Sequence, residues 1–273
     1  MTSRMRVGTA LVAGLLGFVA QASAQVPGMP LFTNPRYATG LRVSADLGQP
    51  TDMGTGIGDK TVAQVGANFV LGPIGIGANV GTNFNRARQL ASSRTFGLSD
   101  NFTGSAIAQF RLLGGGINTL SLSIFGGASM DITGSDLAYA SVAGAKAAYP
   151  KFMNFPVGAA LGLRLPLGIT SLSFWGAPRF VLSKYVNCPS TDPSVVVGGV
   201  TYTATGLSTM CDKTGRDFRW AAGVDLPILK IFSIRAAYDS GKLRARDQVT
   251  GATTSQTLSF WGVGASIGIG GMR

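Results

Sequence analysis

The sequence predicts an all-β chain: a single antiparallel transmembrane β-barrel of about ten strands, with short turns at one end and long loops at the other. Three observations predict it. Apolar and polar residues alternate with period two in segments long enough to cross a bilayer obliquely. The connections between these segments alternate in length, short then long. The polar face of each segment is made of Ser, Thr, Gly, Ala, Gln and Asn with scattered Arg and Asp, where a strand facing water would carry Lys and Glu. Eight or twelve strands are the alternatives, according to whether a short segment drops out or the stretch Val195 to Thr205 joins the sheet.

The first segment, LRVSADLG, sets Leu41, Val43, Ala45 and Leu47 on one face and Arg42, Ser44 and Asp46 on the other. The second, KTVAQVGANFVL, opposes Ala63, Val65, Ala67, Phe69 and Leu71 to Gln64, Gly66 and Asn68. The pattern returns at 74–84, 101–112, 118–127, 154–164, 170–180, 217–226, 231–239 and 256–270. Short connections fall near Pro73, before Asn118, and around Pro166 and Pro227; long ones cover 49–59, 85–100, 128–153, 181–216 and 240–255. An even strand count returns both termini to one side. Aromatics at the segment ends, Phe102, Phe155, Phe180, Phe218, Trp220, Tyr238 and Phe260 at one level and Phe110 and Phe232 at the other, read as interfacial girdles on the apolar face. By the same parity, Arg at position 122 should block assembly, whereas Arg in place of inward Ser123 should be tolerated.

Ahead of the barrel, Arg4 and Arg6 precede the apolar run Val7 to Ala20, and Ala22, Ser23 and Ala24 follow it. This is the order of a cleavable signal peptide, and the run is shorter than the roughly 20 residues of a spanning helix. The expected organisation is a signal peptide over 1–24, an N-terminal periplasmic segment over 25–39 and the barrel over 40–273. Composition agrees with strands and turns. All 12 acidic residues are Asp, Gly reaches 39, and only 13% of residues are charged. The two cysteines, Cys188 and Cys211, sit in one long loop, and one disulfide between them is the simplest pairing in an oxidising compartment.

The signal peptide, the ten segments, the PIGIG and PLGITSLSF turn-to-strand junctions and the final GVGASIGIGGMR together resemble the small porin-like bacterial outer-membrane barrel superfamily, in the architecture of the OmpA membrane domain and OmpW. The resemblance covers most of the chain after residue 24. It implies residence in the cell outer membrane of a Gram-negative-type envelope, with outer-membrane lipid and lipopolysaccharide as surroundings and the barrel insertion machinery as a partner in assembly. The chain departs from the pattern at Gly271, Met272 and Arg273, where such barrels usually end in an aromatic residue.

Function is bounded mainly by exclusion. The chain has no histidine, which removes Ser-His-Asp, Cys-His and His-Asp catalysis. The omptin proteases are also ten-stranded, yet their catalytic His has no counterpart here, so no enzymatic activity is expected. Neither is a catalytic, cofactor or metal site, since two cysteines without histidine do not make a zinc site. The formal charge of +11 comes without a dense basic run interleaved with aromatics, which excludes nucleic acid as a partner. What remains is the lumen. Parity directs Arg42, Arg111, Arg164, Arg179, Arg219 and Arg235 into it, with Asp46, Asp217, Asp225 and Asp239 as partners. The leading expectation is a narrow passive, porin-like channel for small solutes that favours anions. The alternatives are a non-conducting structural or surface-adhesion barrel acting through its loops, and a soluble secreted β-barrel. The sequence leaves the solute and the oligomeric state open.

Overall fold

The structure, a computed structural model, describes residues 40–52, 60–85, 96–98, 101–114, 119–133, 135–139, 146–167, 170–197, 200–203, 208–212, 214–228, 231–246 and 253–269. The expected signal peptide, the 25–39 segment and the terminal Gly271, Met272 and Arg273 lie outside these residues.

Ten strands close a barrel: β1 (Gly40–Asp52), β2 (Lys60–Leu71), β3 (Ile74–Asn85), β4 (Asn101–Leu113), β5 (Leu120–Asp131), β6 (Lys151–Leu167), β7 (Thr170–Val186), β8 (Thr214–Pro227), β9 (Phe232–Arg246) and β10 (Thr253–Ile269). Each pairs antiparallel with its neighbours in sequence, and β1 pairs with β10 to complete the ring. All ten expected segments are strands, and most run further toward the long loops than alternation reveals. β7, for instance, continues from 180 to Val186. A strand of 17 residues is about 56 Å long, well beyond what a tilted crossing requires, so the wall stands above the membrane at the loop end.

Chain chemistry explains the tight end. β2 and β3 are joined by Gly72 and Pro73 alone, with Gly72 at φ +57°, a left-handed conformation that a β-carbon would strain. Backbone hydrogen bonds from Arg111 N to Pro73 O, Arg164 N to Thr119 O and Gly268 N to Ile231 O, each 2.7 Å, stitch neighbouring hairpins together there.

Closure fixes the dimensions. Stepping across register partners from Pro227 on β8 through β9, β10 and β1 to β7 returns to β8 at Gly215, 12 residues away. With the ordinary strand spacings, ten strands and a stagger of 12 require a tilt of about 40° and a backbone radius of about 10 Å. This is only slightly wider than a barrel that side chains fill completely.

The two faces divide as the alternation requires. Leu47, Phe69, Ile76, Val80, Leu161 and Val263 point outward and are exposed, while Ser44, Asn68, Asn79 and Ser266 point inward and are buried. A continuous apolar exterior of this kind belongs against hydrocarbon and disfavours the soluble alternative. Phe102, Phe110, Phe155, Phe180, Phe218, Trp220 and Tyr238 are exposed on that face; Phe180 packs edge-on against Phe218, and Trp220 lies against Tyr238. Phe260 departs from the expected girdle. It is 1% exposed and faces inward, because of the adjacent Phe260 and Trp261 only one can point outward and Trp261 does so.

The loops carry their own order. A three-stranded sheet forms from Phe96–Leu98, Ser135–Tyr139 and Lys146–Tyr149. Ser194–Val197 and Val200–Thr203 pair as a separate hairpin and do not enter the barrel, which settles the count at ten. Cys188 and Cys211 form a disulfide with Cα atoms 5.9 Å apart. Nearby, Asp192 accepts hydrogen bonds from Ser208 N and Oγ at 2.8 and 2.7 Å. Since the bond lies within the loop and outside every barrel strand, reduction is expected to raise protease cleavage within 187–213, by loss of a cross-link worth about 3 kcal/mol to the loop, while the barrel stays folded, as heat-modifiable migration on gels would show.

Candidate functional site: the barrel interior

Inward positions at mid-barrel carry charge. Arg235 on β9 grips Asp46 on β1 with two parallel hydrogen bonds, Nε to Oδ1 at 2.8 Å and Nη2 to Oδ2 at 2.9 Å, and Gln64 on β2 donates to the same carboxylate at 3.4 Å. The pair spans β10, and Gly264 on β10 makes the span feasible: a β-carbon there would lie 1.7 Å from Asp46 Oδ1. Gly264→Ala should therefore part the pair and lower stability by about 1–3 kcal/mol, measured as a shift in the urea midpoint of the refolded protein.

A second cluster lies closer to the loop end. Arg179 on β7 and Arg219 on β8 are register partners, so two guanidinium groups stand side by side. Asp239 on β9 accepts hydrogen bonds from both, from Arg219 Nε at 3.0 Å and from Arg179 Nη2. Asp217 is buried two positions along from Arg219. Asp225 on β8 is buried within electrostatic reach of Arg235, Arg42 and Asp46.

All ten candidate charges thus lie on barrel strands, but at two depths. Arg179, Arg219 and Arg235 are 3%, 2% and 6% exposed, and Asp46, Asp217, Asp225 and Asp239 are equally buried. Arg42, Arg111 and Arg164 are half-buried at the turn end. The excess of arginine is therefore a feature of that mouth, while the deep interior sets three Arg against four Asp.

Apolar bulk fills much of what remains. Phe125, Trp175 and Phe260 point inward at 4%, 4% and 1% exposure and join Val62, Val70 and Ala177 in one cluster. The sequence reading missed this plug, although parity carried the signal: Trp175 alternates with exposed Phe174, and Phe125 with exposed Ile124. Trp175 lies over Gly223 of β8, where a β-carbon would come within 2.3 Å of the indole. Inward glycines are seats for particular neighbours: Gly77 beneath Asn68, Gly223 beneath Trp175, Gly264 beneath Asp46. Among the described residues no group of three or more His, Cys, Asp or Glu is placed to hold a metal.

No family model matches the chain, and no curated protein matches it. Solved structures do. The translocator domain of the autotransporter NalP from Neisseria meningitidis aligns over 97% of this chain and 96% of its own, at 13% identity and a TM-score of 0.51. Neisserial surface protein A aligns over 86% and 100%, at 12% identity and TM-score 0.35. The outer membrane protease OmpT from Escherichia coli aligns over 84% and 97%, at 8% identity and TM-score 0.38. The expectation that the chain is no enzyme is corrected: a protease stands among these neighbours, and the missing histidine removes only histidine-dependent schemes. The protein has the outer-membrane β-barrel fold, closed from ten antiparallel strands.

Proposed function

We propose that the protein is an integral barrel of the bacterial outer membrane whose interior is closed by its own side chains, and that it acts as a rigid membrane scaffold for its outer loops. Export by the 1–24 signal peptide, insertion by the barrel machinery, contact with lipopolysaccharide, and the finer likeness to the OmpA membrane domain and OmpW belong to this reading. So does its sidedness, with turns in the periplasm and loops outside. The observation that carries it is the burial of Arg235 with Asp46, of Arg179 and Arg219 with Asp239, and of Phe125, Trp175 and Phe260, in a barrel of about 10 Å backbone radius.

One observation favours the channel reading. Arg42, Arg111 and Arg164 give the turn-end mouth a basic lining that would gather anions, provided that the deeper ion pairs part. Conductance of the refolded protein in a planar bilayer separates the two. A silent wild type is expected. Steady anion-selective current, altered in Arg235→Ala and Arg179→Ala, would replace the scaffold by a channel.

A further inference from the structure

The closing register line of the barrel has an unusual composition. Leaving Pro227 at the turn end of β8, it meets Ser233 on β9, Ser266 on β10, Ser44 on β1, Gly66 on β2, Asn79 on β3, Ser105 on β4, Ser129 on β5, Asn154 on β6 and Ser183 on β7, and arrives at Gly215 near the loop end of β8. All nine positions between its ends are Ser, Asn or Gly, and by parity all face inward. Neighbours on such a line are about 5 Å apart and share a face, so their polar groups touch in sequence. Ser233 Oγ lies 2.8 Å from Ser266 Oγ, Asn79 Nδ2 donates to Ser105 Oγ at 3.0 Å, and Asn154 Nδ2 donates to Ser129 Oγ at 3.4 Å.

At a tilt of about 40°, one circuit of ten strands climbs about 30 Å, the thickness of the hydrocarbon layer. The line is therefore a spiral stair of hydrogen-bonding groups from one mouth to the other, running along the wall and around the central aromatic plug. It is also under-satisfied. Asn79 Oδ1 and Asn154 Oδ1 on the line, and Gln64 Oε1 and Asn68 Nδ2 on either side of the bare Gly66, are buried without a hydrogen-bond partner among the described residues. Buried polar atoms of this kind are ordinarily satisfied by water.

We propose that this spiral holds a file of water molecules and conducts water across the barrel while the ion pairs and aromatics exclude solutes. The proposal rests on the closed, membrane-embedded barrel inferred above. Every side chain on the line is small, and all but Gly66 offer a donor or an acceptor to the file.

The test is osmotic water permeability of vesicles carrying the full refolded protein, followed by stopped-flow light scattering. Asn79→Leu and Ser105→Val interrupt the line at adjacent steps; Ser123→Ala, inward but off the line, is the control. Heat-modifiable migration verifies that each barrel has folded, and Ser105→Val is conservative enough to fold should Asn79→Leu fail. The expected result is permeability above that of protein-free vesicles, reduced about tenfold in its protein-dependent part by either line variant, as the loss of about one hydrogen bond does to a rate, and unchanged in the control. Permeability equal to that of bare vesicles, or insensitive to both line variants, overturns the proposal. Ionic conductance of the same vesicles reports on the closed interior alone, so the two readings fail separately.

Discussion

Asp239→Ala is expected to destabilise the barrel by about 3–5 kcal/mol, the largest single effect in the interior. The carboxylate is 1% exposed and is shared by Arg179 and Arg219, which face each other on neighbouring strands. Removing it leaves two positive groups side by side without the carboxylate they share, each still withdrawn from water. The loss exceeds the net worth of either ion pair, because the cost is that of the stranded charges rather than of the missing contact. Unfolding by urea, followed through the fluorescence of Trp175, Trp220 and Trp261, gives the number. A second variant fixes its origin. Replacing all three residues together by Met, Met and Leu should recover most of the stability, since apolar side chains of similar size leave no charge to strand. If Asp239→Ala loses less than about 1 kcal/mol, the cluster is hydrated and the closed interior is wrong at this level.

The second large effect is on the outer face. Leu161 projects from β6 at 51% exposure, midway between Phe155 of the loop-end girdle and the turn-end residue Leu167, and Leu161→Arg should cost about 2–4 kcal/mol or prevent insertion altogether, as a charge at mid-bilayer does. Leu122→Arg, outward on β5 and in register with Leu161, should cost as much, whereas Leu167→Arg should cost less, because at the turn end the side chain reaches the interface. Comparing the yields of folded, heat-modifiable barrel from Leu161→Arg and Leu167→Arg measures depth directly; equal yields would mean that β6 sits at another height. The inward partner of this test changes character. Ser123 is 0% exposed and accepts a hydrogen bond from Gln109 at 3.1 Å, so Ser123→Arg, acceptable by parity, overpacks a closed interior.

Particular residues show how much of this was legible in the sequence. Period-two alternation located all ten strands, because Leu41, Val43 and Leu47 must meet lipid while Ser44 and Asp46 must not, and a slip of one residue would exchange them. It underestimated strand length, because beyond the lipid neither face needs to be apolar and Lys184, Tyr185 and Val186 look like loop. Parity also assigned inward charges but could not pair them. That Arg235 meets Asp46, 189 residues away, depends on β1 closing against β10 and on the bare Gly264 between them. The spiral of Ser, Asn and Gly was likewise invisible, since its members are neighbours only through a register that pairing across the whole ring defines. Phe260 failed for a local reason: alternation cannot decide which of two adjacent aromatics turns outward.

The cross-link between Cys188 and Cys211 bears on the order of events in assembly. In an exported chain it closes in the oxidising compartment, while the strands are still outside the lipid. It then shortens the effective connection between β7 and β8 from the whole of 187–213 to a few residues at its root, which lowers the entropic cost of bringing those two strands together by about 1.5 kcal/mol. On the proposed export, β7 and β8 would come to the membrane joined at the loop end, above the positions where Arg179 and Arg219 face each other in the folded barrel.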